Sequence, residues 1–148
     1  TGGQYGVEPV GWDLYGGVGA LVPALHHALG NNSHIHSVES ARVMATSGQV
    51  TFGDDVHFHI GLVGNLVDTL PQPDVVVLDP PRVGAGADVV TRIAARKPQR
   101  VIHIGCDPAT FATDIRAWSQ AGYHLSDIVV VNAFPGTHHF ETLGLLQP

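Results

Sequence analysis

Cysteine is nearly absent: Cys106 is the only one in 148 residues, so no internal disulfide can form and the fold must be held by its core. A reducing, cytoplasmic setting is expected. Charge is scarce at 14% of residues, and the seven Lys and Arg are outnumbered by thirteen Asp and Glu. A formal charge of -6 argues against strong, sequence-independent nucleic-acid binding by this chain alone, because neutralising phosphates takes a surplus of basic groups. No apolar run approaches the ~20 residues of a membrane helix, and no basic leader precedes an apolar segment. Internal repeats, low-complexity tracts and any linker beyond the first few residues are missing as well. So is a His-Glu-x-x-His helix.

What is present suits one domain, since 148 residues at 44% hydrophobic can bury a sizeable core. Residues 1–10 open on a glycine-rich stretch and read as a flexible segment; residues 11–148 read as the domain. So abrupt a start suggests a piece of a longer protein. Apolar runs bounded by turn residues alternate with segments of helical period, the pattern of a parallel sheet with crossover helices. Strands are expected near 11–15, 35–39, 56–61, 74–79, 100–106, 125–134 and 139–146. Helices are expected near 18–29, 40–46, 62–69, 86–96 and 108–121. Val75-Val76-Val77-Leu78 has no polar face and must be a central strand. Only Phe134-Pro135-Gly136-Thr137-His138 separates the last two strands, which therefore form an antiparallel hairpin.

Chemistry concentrates at the strand ends. Asp13-Leu14-Tyr15-Gly16-Gly17-Val18-Gly19 is a strand end followed by a glycine turn into a helix, where backbone can approach a ligand; such turns also serve plain connections. Glu39 ends the second strand, where an acidic side chain can accept both ribose hydroxyls, or simply cap the next helix. Without a full Gly-x-Gly-x-x-Gly, S-adenosylmethionine is favoured over a dinucleotide. Asp79-Pro80-Pro81-Arg82 stops the fourth strand with two stiff residues and holds a carboxylate at the sheet edge. Cys106 follows another strand, as either a small buried hydrophobe or a nucleophile. Glu141 lies in apolar surroundings, and partial burial would raise its pKa toward the range of a useful base.

Five blocks in order, Asp13-Leu14-Tyr15-x-Gly17-x-Gly19, Val38-Glu39, Asp79-Pro80-Pro81-Arg82, Cys106-Asp107-Pro108-Ala109-Thr110 and Phe134-Pro135-x-Thr137-x-His139-x-Glu141, resemble the catalytic domain of the RNA (uracil-5-)-methyltransferase family. The resemblance runs from about residue 11 to the end. It implies a Rossmann-like class I methyltransferase fold of the α/β class, a mostly parallel seven-stranded sheet with a C-terminal antiparallel hairpin. It further implies S-adenosylmethionine as cofactor and uridine in tRNA or rRNA as target. Cys106 would be the nucleophile and Glu141 the base; Tyr15, Gly17 and Gly19 would line the cofactor turn, Glu39 would bind ribose, and Asp79 would lie near cofactor and target base. His139 would orient Glu141. Arg82 would meet RNA or brace its loop.

The chain departs from the family pattern at Gly16 (often cysteine), Ala20 (a polar contact), Gly105 (serine), Thr113 (arginine), Asn132 (aspartate) and Leu62, where Asn or Asp often touches adenine. Asp54 or Asp55 could replace Leu62 if the alignment slips. The family's upstream RNA-gripping segment is missing, so RNA binding should need a region absent from this chain. Ten histidines, including His34, His36, His57 and His59 alternating on strands, could chelate a metal but read better as polar surface or partly buried groups; no metal is expected. A non-catalytic module of the same fold and a methyltransferase acting on another substrate are the competing readings. Oligomeric state is not readable.

Overall fold

The run Val75–Leu78 offers water no polar side chain, and the computed structural model buries it on both faces in the middle of the sheet. The structure describes residues 5–132, 135–137 and 139–148. In chain order come β1 (Val10–Leu14), α1 (Val22–Leu29), β2 (His34–Glu39), α2 (Arg42–Phe52), β3 (Val56–Ile60), α3 (Val63–Leu66), β4 (Val75–Leu78), α4 (Ala87–Ala95), β5 (Arg100–Gly105), α5 (Pro108–Gln120), β6 (His124–Val131) and β7 (Glu141–Gln147). The strand order is β3-β2-β1-β4-β5-β7-β6. β1 to β5 run parallel, and β7 lies antiparallel between β5 and β6. This is the parallel sheet with crossover helices that the strand and helix pattern predicted, in the Rossmann-like form that the family resemblance implied. Its order reverses between β1 and β4, where a crevice opens at the strands' carboxyl ends.

Each sheet face has its own apolar layer. Trp12, Val38, Val76, Leu78, Val101 and Leu146 pack with α4 and α5 residues such as Val90, Ile93 and Trp118 on one side. Ile35, Val56, Val75 and Val77 meet Val22, Leu25 and Leu29 of α1 on the other. Buried aromatics keep their polar ends paired: the Trp12 indole donates to the Pro71 carbonyl (3.0 Å), and the Tyr123 hydroxyl to that of Pro98 (2.7 Å). Among the described residues no helix is long and apolar enough to cross a membrane.

Element boundaries differ from the sequence pattern for local reasons. β1 already begins at Val10, inside the expected N-terminal segment. α1 starts at Val22 rather than near residue 18, because Gly17 and Gly19 adopt positive φ and Pro23 is accommodated only in the first turn. α2 continues past residue 46 to Phe52, right through Gly48. A Cβ there would sit 2.4 Å from the Phe58 ring and 2.9 Å from the Val18 carbonyl oxygen, so glycine lets the helix settle on the sheet. The expected helix at 62–69 is one α-turn, 63–66, followed by a 3-10 turn.

His36 and His57 face each other across β2 and β3. Their rings stack at 4.8 Å, and His59 stacks on His36 at 5.2 Å with an Nδ1 to Nε2 hydrogen bond of 3.0 Å. Burial, then the neighbouring imidazoles, push His36 down to about 4, and burial and His57 lower His59. The folded value of His36 lies below its ordinary one, so its contribution is complete above pH 6.5 and is lost as pH falls through about 4. In urea unfolding the wild type should therefore lose about 3 kcal/mol between pH 7 and pH 4 relative to His36→Phe, which keeps a flat ring without the titration while every other group titrates alike in both proteins.

Candidate active site at the carboxyl edge of the sheet

The β5–β7 register runs from Val101 opposite Leu146 to Gly105 opposite Thr142, and Cys106 and Glu141 are the residues directly beyond that last pair. Cys106 is a free, exposed thiol. Directly after it, the Asp107 side chain accepts from the backbone N–H groups of Ala109 (2.9 Å) and Thr110 (3.0 Å), starting α5 and ending the strand at the cysteine. Glu141 is half-buried, and its Oε2 is shielded from solvent without a hydrogen-bond donor. Asp79 leaves β4 at the same edge. Its carboxyl is pushed up by partial burial and by the charge of Glu141, with His103 opposing. A Coulombic effect of Glu141 on Asp79 requires the two carboxylates to lie near one another.

The glycine turn lies next to this group. Tyr15, Gly17 and Gly19 all have positive φ, which strains only the tyrosine. Gly17 N–H donates to Glu39 Oε2 (2.9 Å), while Ala41 N–H donates to Oε1 (2.9 Å). Glu39 thus ties the turn after β1 to the start of α2. Tyr15, Val38, Glu39, Ser40, Gly61, Leu62 and Val63 line a recess of about 40 Å³. Asp54 and Asp55 cannot stand in for Leu62 there. They precede β3, whereas Leu62 follows it, and a five-residue strand of roughly 16 Å separates the two ends.

Three buried polar residues of this edge received no role from the sequence, although Asp13 opens the first motif. Asp13 is fully buried; its Oδ2 accepts from Ser37 Oγ (3.1 Å), and its Oδ1 has no partner. Burial pushes its carboxyl up to about 6, with Ser37 opposing and Asp79 and Glu39 adding. His103 and Asp114 lie side by side, Nε2 to Oδ2 3.2 Å, beneath the loop that follows Asp79. An acidic residue within the apolar β1, and a histidine within the apolar β5, were the available signals. Two departures also find causes. A Cβ at Gly16 would meet Asp13 Oδ2 and Ser37 Oγ at 2.3 Å, and one at Gly105 would meet the Phe111 ring at 2.7 Å.

Other expectations fare unevenly. Arg82 braces its loop through its main chain, its carbonyl accepting from Thr110 Oγ1 (2.8 Å). Phe134 and His138 lie outside the described residues. His139 is exposed, and its N–H donates to Thr137 Oγ1 (3.3 Å). His36 and His103 are buried, whereas His34 and His57 are exposed. Among the described residues no three His, Cys, Asp or Glu side chains gather as a metal site.

The family model for tRNA (uracil-5-)-methyltransferases matches residues 33–148. The chain belongs to this family. It is 56% identical over 138 residues to an uncharacterized RNA methyltransferase of Corynebacterium efficiens, covering 93% of this chain and 32% of that protein. A Bifidobacterium longum protein of the same description is 39% identical over 150 residues, with 96% and 34% covered. The chain therefore spans about a third of the length of these relatives. Among solved structures, the tRNA (uracil-54, C5)-methyltransferase of Pyrococcus abyssi, in complex with S-adenosyl-L-homocysteine, superimposes with a TM-score of 0.77 at 26% identity, covering 96% of this chain and 35% of that one. Aeropyrum pernix fibrillarin, at 14% identity and a TM-score of 0.72, shares the fold.

Within this family member Asp13 is costly to the fold at neutral pH. Its folded pKa exceeds the ordinary 3.8, so the stability linked to its proton is complete below pH 3.8 and lost as pH rises through about 6. Asp13→Asn should exceed wild type in unfolding free energy by about 2 kcal/mol at pH 8 and match it near pH 4, measured by urea titration at both values.

Proposed function

We propose that this chain is the catalytic domain of an S-adenosylmethionine-dependent RNA methyltransferase that methylates carbon 5 of a uridine in tRNA or rRNA through a covalent Cys106 adduct. The observation that carries the reading is that an exposed thiol and a half-buried carboxylate lie one residue beyond the last β5–β7 pair, with Asp79 at the same edge. Uridine methylation needs that pair: a soft nucleophile for carbon 6 and a base for the hydrogen on carbon 5.

The residues present fit the cofactor. Gly17 leaves its side of the turn after β1 open, with only the end of Met44 within 4 Å of where a Cβ would stand, and Asp13 Oδ1 lacks a donor beneath that turn. Tyr15, Gly17 and Gly19 would line the cofactor, Glu39 would accept from its ribose with the lone pairs left after Gly17 and Ala41, and Asp79 would border its reactive end. When bound, S-adenosylmethionine supplies an electrophilic methyl group on a sulfonium that departs as a neutral thioether.

Cys106 Sγ bonds to carbon 6 of the uracil, and the electron pair of the 5,6 double bond becomes available at carbon 5 for the new carbon–carbon bond. Glu141 then takes the carbon 5 hydrogen as a proton. The pair left behind re-forms the double bond and expels Cys106 as thiolate. An unpaired, half-buried carboxylate oxygen suits proton abstraction because no donor has to be displaced first. With a net charge of -6, this portion holds RNA weakly, and the remainder of the full-length protein supplies the grip.

A 5-fluorouridine RNA incubated with the full-length protein and cofactor should give a covalent complex, seen as a band stable in denaturing gels, because fluorine cannot leave as a cation. Cys106→Ala should abolish it. Glu141→Gln should accumulate the adduct on ordinary uridine RNA while turnover falls roughly 10²- to 10⁴-fold. Full methyl transfer by Cys106→Ala would instead favour a substrate that needs no thiol.

A further inference from the structure

Three parts of the carboxyl edge converge on a buried carboxylate that the proposed chemistry does not use. Thr110, Asp114 and Trp118 recur every four residues and share one face of α5. Thr110 Oγ1 donates to the Arg82 carbonyl (2.8 Å). Asp114 Oδ2 accepts from Ala85 N–H (2.8 Å) and Oδ1 from Gly86 N–H (3.1 Å). The Trp118 indole donates to His103 Nδ1 (3.0 Å). An indole N–H can only donate, so Nδ1 accepts and the ring proton sits on Nε2, 3.2 Å from Asp114 Oδ2. The loop backbone presses on the carboxylate: a Cβ at Gly84 would lie 2.8 Å from Oδ2. Burial pushes the Asp114 carboxyl up, but His103 and the two N–H groups outweigh it and hold it below the usual range.

We propose that Asp114 is a positioning residue for methyl transfer: it clamps the loop that follows Asp79-Pro80-Pro81 to the helix that begins just after Cys106, and His103, itself fixed by Trp118, aligns the clamp. This rests on the reading of this edge as the methyl-transfer site. Asp79 and Cys106 leave parallel neighbours β4 and β5, whose ladder ends at Leu78 opposite His103, so beyond that pair their separation is set by the loop and the helix start. Replacement by Asn keeps the shape but turns a donor toward one of the two N–H groups, and one hydrogen bond is lost.

The test uses full-length protein, labelled S-adenosylmethionine and a pool of unmodified tRNA and rRNA transcripts, below the unfolding temperature of each variant. Asp114→Asn should lower kcat 10- to 100-fold while S-adenosylhomocysteine affinity by calorimetry stays within threefold of wild type. His103→Asn should fall between them, and Ala85 and Gly86 amides should exchange at least tenfold faster in Asp114→Asn. A variant that melts earlier yet turns over at the wild-type kcat overturns the inference. So does unchanged amide exchange. Methyl transfer by the wild type without a Cys106 adduct overturns the uridine mechanism alone, and the kcat comparison still decides the role of Asp114. Absence of any transfer by the wild type overturns the site reading, and amide exchange then decides whether the clamp exists.

Discussion

The site depends on β7 entering the sheet antiparallel between β5 and β6. Parallel strands all deliver their carboxyl ends to one edge, but β7 runs the other way and brings its amino end there instead. That reversal brings Glu141, the first residue of β7, to the edge where Cys106 follows the last residue of β5. A slip of one residue would carry Glu141 to the other face of the sheet. The buried Leu146, the closely packed Gly144 and the contact of Phe111 with both Gly105 and Gly144 hold the register against such a slip.

The same edge concentrates polar groups that a fold selected for stability alone would not bury. Among the described residues Asp13 Oδ1 and Glu141 Oε2 are shielded from solvent without donors, while each Asp114 oxygen accepts from a backbone N–H. An unpaired carboxylate oxygen is available to a ligand or a proton, and leaving it so costs stability; a carboxylate that accepts from backbone N–H groups holds backbone in place. The histidine stack on β2 and β3 is a different case, since its rings fill a sheet face that α3, a single turn, leaves uncovered.

Much of the architecture was legible in the residues. Val75–Leu78 could only be central, the short connection before β7 could only make a hairpin, and the doubled proline after Asp79 had to end a strand. α2 was expected near 40–46 yet runs on through Gly48, whose close contact with Phe58 exists only once helix and sheet are packed. Asp54 and Asp55 looked interchangeable with an adenine contact at Leu62 because they are near it in sequence, yet a strand places them at the opposite edge. Asp13 stood in a motif without a role of its own, and His103 and Asp114 were given none, because a buried polar residue acquires meaning from its partners.

Local patterns therefore determined which segments are strands and helices, which strand is central, and which residue types stand at the strand ends, because these follow from period, β-branching and turn chemistry along the chain. Only the tertiary structure decided that Cys106 and Glu141 end up at one edge, each just beyond the last β5–β7 pair, that Asp79 feels the charge of Glu141, and that Asp114 joins a loop 28 residues away to α5. Such relations depend on strand order and register, which arise when distant segments bury their apolar faces together, and no short window of sequence contains them.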